Sequence, residues 1–102
     1  MASPSVYAMS SSNGSDSVLT AAKGSFVVNG TSVYNTYNFR AIVVLEDTVF
    51  TFIKHTGNNT DVRSSYIQTV GGTVKAGAII TPLQAKTFSS VQLTSGSVAI
   101  VI

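Results

Sequence analysis

The sequence predicts an all-β protein, because short apolar runs alternate with turn-forming pairs along most of its length. The clearest turn pairs are Asn29-Gly30, Gly71-Gly72 and Ser95-Gly96. No helical period extends beyond one turn, and the segment from Ser17 to Lys23 is the only faint candidate. About eight to nine short strands with regular turns predict an antiparallel sandwich, a jelly-roll-like arrangement or a small barrel.

The chain begins with a segment of different composition. Residues 1–17 are rich in Ser with Pro, Gly and Asn, which predicts a flexible N-terminal arm ahead of a single β domain at 18–102. Val6, Tyr7 and Met9 give this arm apolar side chains to bury. Two interpretations stay open: a tether ordered by a neighbouring molecule, or a disordered tail.

Each turn pair defines a two-residue hairpin loop whose register puts apolar side chains on one face. The opposed pairs are Val28 with Thr31 and Phe26 with Val33 around Asn29-Gly30, Leu93 with Val98 and Val91 with Ile100 around Ser95-Gly96, and Thr69 with Val74 and Ile67 with Ala76 around Gly71-Gly72. These registers predict three local hairpins.

The segment 39–53 predicts a fourth hairpin, in which two strand-like runs are apolar on both faces and meet at the acidic pair Glu46-Asp47. The predicted pairs are Val44 with Val49, Val43 with Phe50 and Ala41 with Phe52. A strand that is apolar on both faces must be buried on both sides or lie in a subunit interface. We expect Phe39, Val43, Phe50 and Phe52 in the core, and Ile42, Val44, Val49 and Ile53 against a second sheet or another subunit.

Composition narrows the class of partner. The 102-residue chain has 10% charged residues, far below the roughly 25% usual in soluble domains. Its six Lys and Arg are scattered and its formal net charge is only +2, which argues against nucleic-acid binding. It contains no cysteine, so disulfides and thiolate sites are excluded.

The chain shows no targeting signal. No charged n-region precedes an apolar h-region, and the apolar runs are too short to span a bilayer. We therefore expect synthesis in a cytoplasm without a classical export signal, and no membrane partner.

Residues for catalysis are sparse. His55 is the single histidine, and a Ser-His-Asp arrangement with Asp47 or Asp61 is compositionally possible, but no nucleophile-elbow motif supports it. Glu46 and Asp47 are adjacent, so as strand residues they would point to opposite faces. One histidine cannot supply a cupin-type metal site, although a site of carbonyls with Asp61 stays conceivable. We predict no enzyme, no cofactor and no metal.

The tyrosines suggest a different activity. Tyr7, Tyr34, Tyr37 and Tyr66 could form a carbohydrate platform, and Asn35 and Asn38 lie beside two of them. In a small β domain such aromatics equally serve as core edges or subunit contacts. A small carbohydrate-binding or receptor-binding β module is therefore an alternative function.

Three segments carry a family resemblance. They are 39–51 (FRAIVVLEDTVFT), 72–80 (GTVKAGAII) and 88–98 (FSSVQLTSGSV). In this order they resemble a group of small β-rich structural proteins of tailed-phage virions, over roughly residues 39 to 100. The resemblance implies a capsid decoration or cement protein on the head surface. Its implied partners are the major capsid protein and further copies of itself, with a trimer favoured.

Overall fold

The structure, a computed structural model, describes residues 23–102 and confirms the all-β class. The arm residues Val6, Tyr7 and Met9 lie outside the described part of the chain. Within it, six strands form two antiparallel sheets that do not close into a barrel. The strands are β1 Ser25–Val28, β2 Ala41–Val44, β3 Val49–His55, β4 Ile79–Ile80, β5 Phe88–Ser95 and β6 Val98–Val101. A 3₁₀ turn spans Arg63–Ser65.

The larger sheet has four strands in the order β1-β6-β2-β4. Strand β6 lies inside it, so Ile100 has Phe26 of β1 on one side and Ile42 of β2 on the other. The smaller sheet pairs β3 with β5. Isolated bridges extend that sheet at both edges, where Tyr34 meets Val91 and Lys54 meets Asp61. Eight to nine strands were expected, whereas the described residues contain six, because some of the expected strands form only single isolated bridges.

Two of the four predicted hairpins, those around Asn29-Gly30 and Gly71-Gly72, were predicted with the wrong partners. Val28 pairs with Val98 rather than Thr31, because β1 joins the larger sheet while Tyr34 crosses to β5. Burying both Val28 and Tyr34 in the core outweighs the local Asn29-Gly30 turn. Around Gly71-Gly72 the chain makes only a β-turn, closed by the Gly72 N–H on the Thr69 carbonyl at 2.9 Å.

The same holds for the two other predicted hairpins, whose strands lie in different sheets. β2 belongs to the larger sheet and β3 to the smaller, and likewise β6 and β5 are separated. Along the described residues the chain therefore crosses between the sheets four times, and two of these crossings, at residues 45–48 and at Gly96-Ser97, lie side by side. We call these two segments together the crossover corner.

Hydrogen bonds hold the two crossings side by side. The Leu45 N–H donates to the Ser97 carbonyl at 3.0 Å, and the Thr48 hydroxyl donates to the Glu46 carbonyl at 2.8 Å. The Ser97 hydroxyl donates to the Glu46 carboxylate at 2.7 Å. Thr48 is fully buried, so its hydroxyl needs these backbone acceptors.

Gly96 is required at this corner for two reasons. Its φ of 93° lies in the region that favours glycine. A Cβ there would meet the Thr48 hydroxyl and would lie 2.6 Å from the Asp47 carbonyl oxygen. The glycine thus permits both the turn and the close approach of the two crossings.

One core lies between the sheets and draws on both. Its largest fully buried side chains are Phe39, Phe50 and Phe88. The core placement of Phe39 and Phe50 is confirmed, but Val43 and Phe52 are only half-buried, on the outer sides of the two sheets. Strand alternation explains the difference, because the neighbours Ile42 and Ile53 take the inward positions.

Replacing Gly96 tests the corner. We expect Gly96→Ala to lower the free energy of unfolding by about 3 kcal/mol or more, since strain and overlap act together. Gly57 is a matched control, because its φ of 79° is similar but a Cβ added there would meet no neighbour within 4 Å. Gly57→Ala should cost about 1 to 2 kcal/mol. Equal losses in urea unfolding of the two variants would contradict the role assigned to the corner.

Candidate functional site

His55, the last residue of β3, is held in a buried aromatic cluster. Its Nε2 lies 2.5 Å from the Tyr66 hydroxyl, whose oxygen also accepts the Leu83 N–H at 2.9 Å. The hydroxyl hydrogen is therefore free to be donated to a neutral imidazole. The imidazole stacks on Phe88, with ring centroids 5.9 Å apart. His55 thus joins β3 to the segments around Tyr66 and Leu83.

Burial lowers the pKa of His55 below its ordinary value of 6.5, and the positive charge of Lys86 lowers it further. Neither Asp47 nor Asp61 hydrogen-bonds the imidazole. The Ser-His-Asp arrangement considered from the sequence is not assembled around His55.

Asp61 instead fastens a loop to β3. Its carboxylate accepts the Ile53 N–H at 3.1 Å and the Arg63 Nε–H at 2.8 Å, and Arg63 reaches on to the Phe50 carbonyl at 2.7 Å. Burial by itself raises the pKa of Asp61, but the hydrogen bonds from Arg63 and Ile53 outweigh it and leave the pKa below its ordinary value. The carboxylate that a cation site would use is already occupied by N–H donors.

Asp47 has a comparable role at the surface. Its carboxylate accepts the Ala76 N–H at 3.0 Å and pairs with the Lys75 ammonium at 3.3 Å. These two contacts, the Ala76 hydrogen bond first, lower the pKa of Asp47. Both carboxylates of the Glu46-Asp47 pair therefore brace the crossover corner and the segment beside it.

The outer side of the larger sheet is apolar across all four strands. Because alternate residues point to opposite sides, the residues between the core positions share this side. We call it the outer face; its apolar residues are Val27, Ala41, Val43, Ile79, Ala99 and Val101, and the exposed Ser25 lies at its margin. Val27 is 51% exposed, Val43, Ile79 and Ala99 are half-buried, and Ala41 and Val101 are buried.

The outer side of the smaller sheet is polar by contrast. Thr51 and Thr94 are exposed there, and their hydroxyls hydrogen-bond across the strands at 2.7 Å. The ammonium of Lys54 covers the one aromatic ring, Phe52, at 4.6 Å from its centroid. The apolar surplus of this chain is therefore concentrated on one sheet.

The structure places the predicted contact residues inside the protein. Ile42, Val44 and Ile53 are at most 1% exposed and belong to the core cluster, so they face the second sheet, one of the two alternatives expected. Val49 is half-buried, and its contact with a partner stays a prediction. Sequence reasoning missed Val27, Ile79 and Ala99. The sequence did carry a signal for Val27 and Ala99, because the runs 25–28 and 98–102 that contain them do not alternate between apolar and polar residues.

The tyrosines considered as a carbohydrate platform differ in how far their side chains are exposed. Three of the four can be compared, because Tyr7 lies outside the described residues. Tyr34 is 7% exposed, Tyr66 is half-buried against His55, and only Tyr37 is well exposed, at 62%. The Tyr34 hydroxyl is buried and has no hydrogen-bond partner among the described residues.

Two open grooves lie at the ends of the larger sheet. One, of about 590 Å³, runs beside β4 and is lined by Tyr66, Ile67, Val74 and Ile79 among others. The other, of about 370 Å³, runs beside β1 and is lined by Phe26, Val33 and Tyr34 among others. Both are mixed in polarity and lie at sheet edges.

Residues 23–102 contain no group of three or more His, Asp or Glu side chains placed to hold a metal ion. In the same part of the chain, no helix has the length and apolar character needed to cross a membrane. Comparison with protein-family models, curated proteins and solved structures found no match.

The cluster around His55 predicts a pH-dependent stability. Because the folded-state pKa is depressed, the unfolded chain binds the proton more readily, so the free energy of unfolding should fall as pH drops from 7 to 5. His55 is the sole histidine in the sequence, so His55→Gln should remove most of this slope. Urea midpoints at pH 7, 6 and 5 measure it. A slope unchanged in the variant would show that other groups cause it.

Proposed function

We propose that this chain is a structural virion protein that decorates the capsid of a tailed phage. It would bind the head surface and stabilise neighbouring coat subunits, with the major capsid protein and further copies of itself, favouring a trimer, as partners. The outer face of the larger sheet is the observation that carries this proposal. The family resemblance is the basis for naming the tailed-phage capsid as the surface to which this face binds.

We propose further that the two sheets form an antiparallel sandwich. Core residues come from both sheets, with Ile42 and Ile100 on the larger one and Phe50 on the smaller. A sandwich leaves each sheet one outward side, and here those sides differ in polarity. The apolar side is our proposed capsid contact, and the polar side would remain towards water.

The size of the outer face supports a lattice rather than a single tight complex. Strands about 4.8 Å apart and four residues long give it a span of roughly 15 by 13 Å. A stable isolated pair of proteins usually buries about 800 Å² on each partner. A smaller contact becomes effective when many copies bind a repeated surface, because each bound copy is held by several weak contacts.

Placing a charge on the outer face tests the capsid contact. Val43→Lys should weaken binding about tenfold or more, since a lysine there must be desolvated against an apolar partner. Thr94→Lys places the same charge on the polar outer side and should bind normally. Co-sedimentation with expanded heads assembled from the major capsid protein of the same phage would measure both.

Failure of the wild-type protein to co-sediment with those heads would refute the capsid role. Equal binding by the two lysine variants would leave capsid binding intact but would assign the contact to another surface. Unfolding midpoints of both variants confirm that they are folded.

A second candidate, a carbohydrate-binding module of a phage particle, is favoured by Tyr37. Its ring is 62% exposed and its neighbours Asn35 and Asn38 are also exposed, which is an arrangement suited to stacking on a sugar.

The carbohydrate alternative predicts that Tyr37→Ala abolishes glycan binding while leaving stability nearly unchanged. Glycan-array binding of the wild-type and variant proteins is the measurement. Tyr66→Phe is a useful contrast, because that tyrosine is tied to His55 instead of facing solvent. An array without hits for the wild-type protein would remove this candidate.

A further inference from the structure

The free edge of β1 has hydrogen-bonding groups that no described residue uses. β1 ends the larger sheet and has only β6 as a described neighbour. The Ile102 N–H donates to the Gly24 carbonyl at 2.8 Å, which fixes the alternation along β1. Gly24, Phe26 and Val28 therefore direct their backbone groups towards β6, and Ser25 and Val27 direct theirs away from it.

This edge lacks the features that usually prevent strands from associating. Ser25–Val28 contains no charge, no proline and no bulge, and three of its four residues are exposed. Phe26 is 53% exposed, Val27 51% and the nearby Val33 45%. The groove of about 370 Å³ lies along the same edge, and the Phe26 ring stacks on Tyr34 within it at 5.1 Å between centroids.

We propose that β1 is a self-association edge, which pairs antiparallel with β1 of a second copy about a two-fold axis at Phe26. In this register Ser25 lies opposite Val27 of the partner subunit, and Val27 lies opposite the partner's Ser25. Both are hydrogen-bonded pairs, so every outward-pointing N–H and carbonyl of β1 gains a partner. The larger sheet becomes a continuous eight-stranded sheet across the pair.

The chemistry of the edge favours a second copy of this chain as the occupant. Each Phe26 faces its symmetry mate in a non-hydrogen-bonded position, where Cα atoms approach to about 4.5 Å and aromatic pairs contact well. Lys23 would lie opposite Asn29 of the partner subunit, so no like charges meet. The contact uses β1 alone and does not depend on capsid binding. It is a two-fold contact, so a trimer would be built through a different surface and the β1 pair would join two copies independently of it.

A proline at Val27 tests the hydrogen bonds of the pair. The Val27 N–H points to the free edge, so Val27→Pro removes an interface donor while leaving the ladder with β6 in place. Val27→Ala removes more of the apolar side chain than the proline does but keeps the donor, so a stronger effect of proline reports the lost hydrogen bonds. Two symmetry-related hydrogen bonds are lost in the proline variant, so its dimer dissociation constant should rise about thirtyfold relative to Val27→Ala. Sedimentation velocity over a concentration series gives these constants.

Cysteine cross-linking tests the register independently and does not require a proline to be tolerated. The sequence has no cysteine, so a single engineered one is unambiguous. Phe26→Cys should oxidise to a covalent dimer, because symmetry mates in a non-hydrogen-bonded pair are within disulfide distance. Thr94→Cys, exposed on the other sheet, should form no covalent dimer under the same oxidising conditions, although it keeps the β1 edge.

The proposal is overturned if the wild-type protein is monomeric throughout the concentration series and Phe26→Cys cross-links no faster than Thr94→Cys. An oligomer whose mass and affinity are the same in Val27→Pro and Val27→Ala would also overturn it, since association would then use another surface. Because these measurements contain no capsid, a failure here leaves the proposed function to its own test.

Discussion

The packing of Thr48 against Gly96 is the contact on which the rest of the structure depends. At this corner the chain passes between the sheets twice. The Thr48 hydroxyl donates to the backbone carbonyls of Glu46 and Ser97, and the Ser97 hydroxyl donates to the Glu46 carboxylate. Since β2 and β3 leave the corner into different sheets, as do β5 and β6, its geometry determines which residues face inward. The inward residues form the core, and the remaining apolar residues are left on the outer face.

The sequence predicted where most strands lie better than which strands pair. Apolar runs identified β2, β3, β5 and β6 because a strand's own pattern shows that it is buried. Pairing is decided by residues far apart in the chain, and no local pattern records that Val28 meets Val98. Ser95-Gly96 shows the difficulty: the glycine was correctly identified as a turn residue, but its contact with Thr48 lies 48 residues away in the chain and turns a hairpin into a crossing between sheets.

The candidate site was predicted in part: the sequence showed that apolar strand surface is in excess, but not which side of each strand carries it. The excess of apolar strand surface was evident from the segment 39–53, and the outer face accounts for part of it. The assignment of Val43 to the core was wrong, because neighbouring residues of a strand lie on opposite sides and Ile42 takes the inward position. The partner of His55 could not be predicted, since Tyr66 meets it only after the loop between them is folded back onto β3.

The position of β6 also governs when the protein can fold. This strand comes last in the described chain and yet lies inside the larger sheet, between β1 and β2. During synthesis, β1 and β2 emerge well before the strand that joins them, so the edges that they present to β6 remain unpaired until β6 has also been made. Pairings of such long range are formed slowly. The newly made chain therefore exposes these unpaired apolar strands until β6 is available, and chaperones would encounter it in that state.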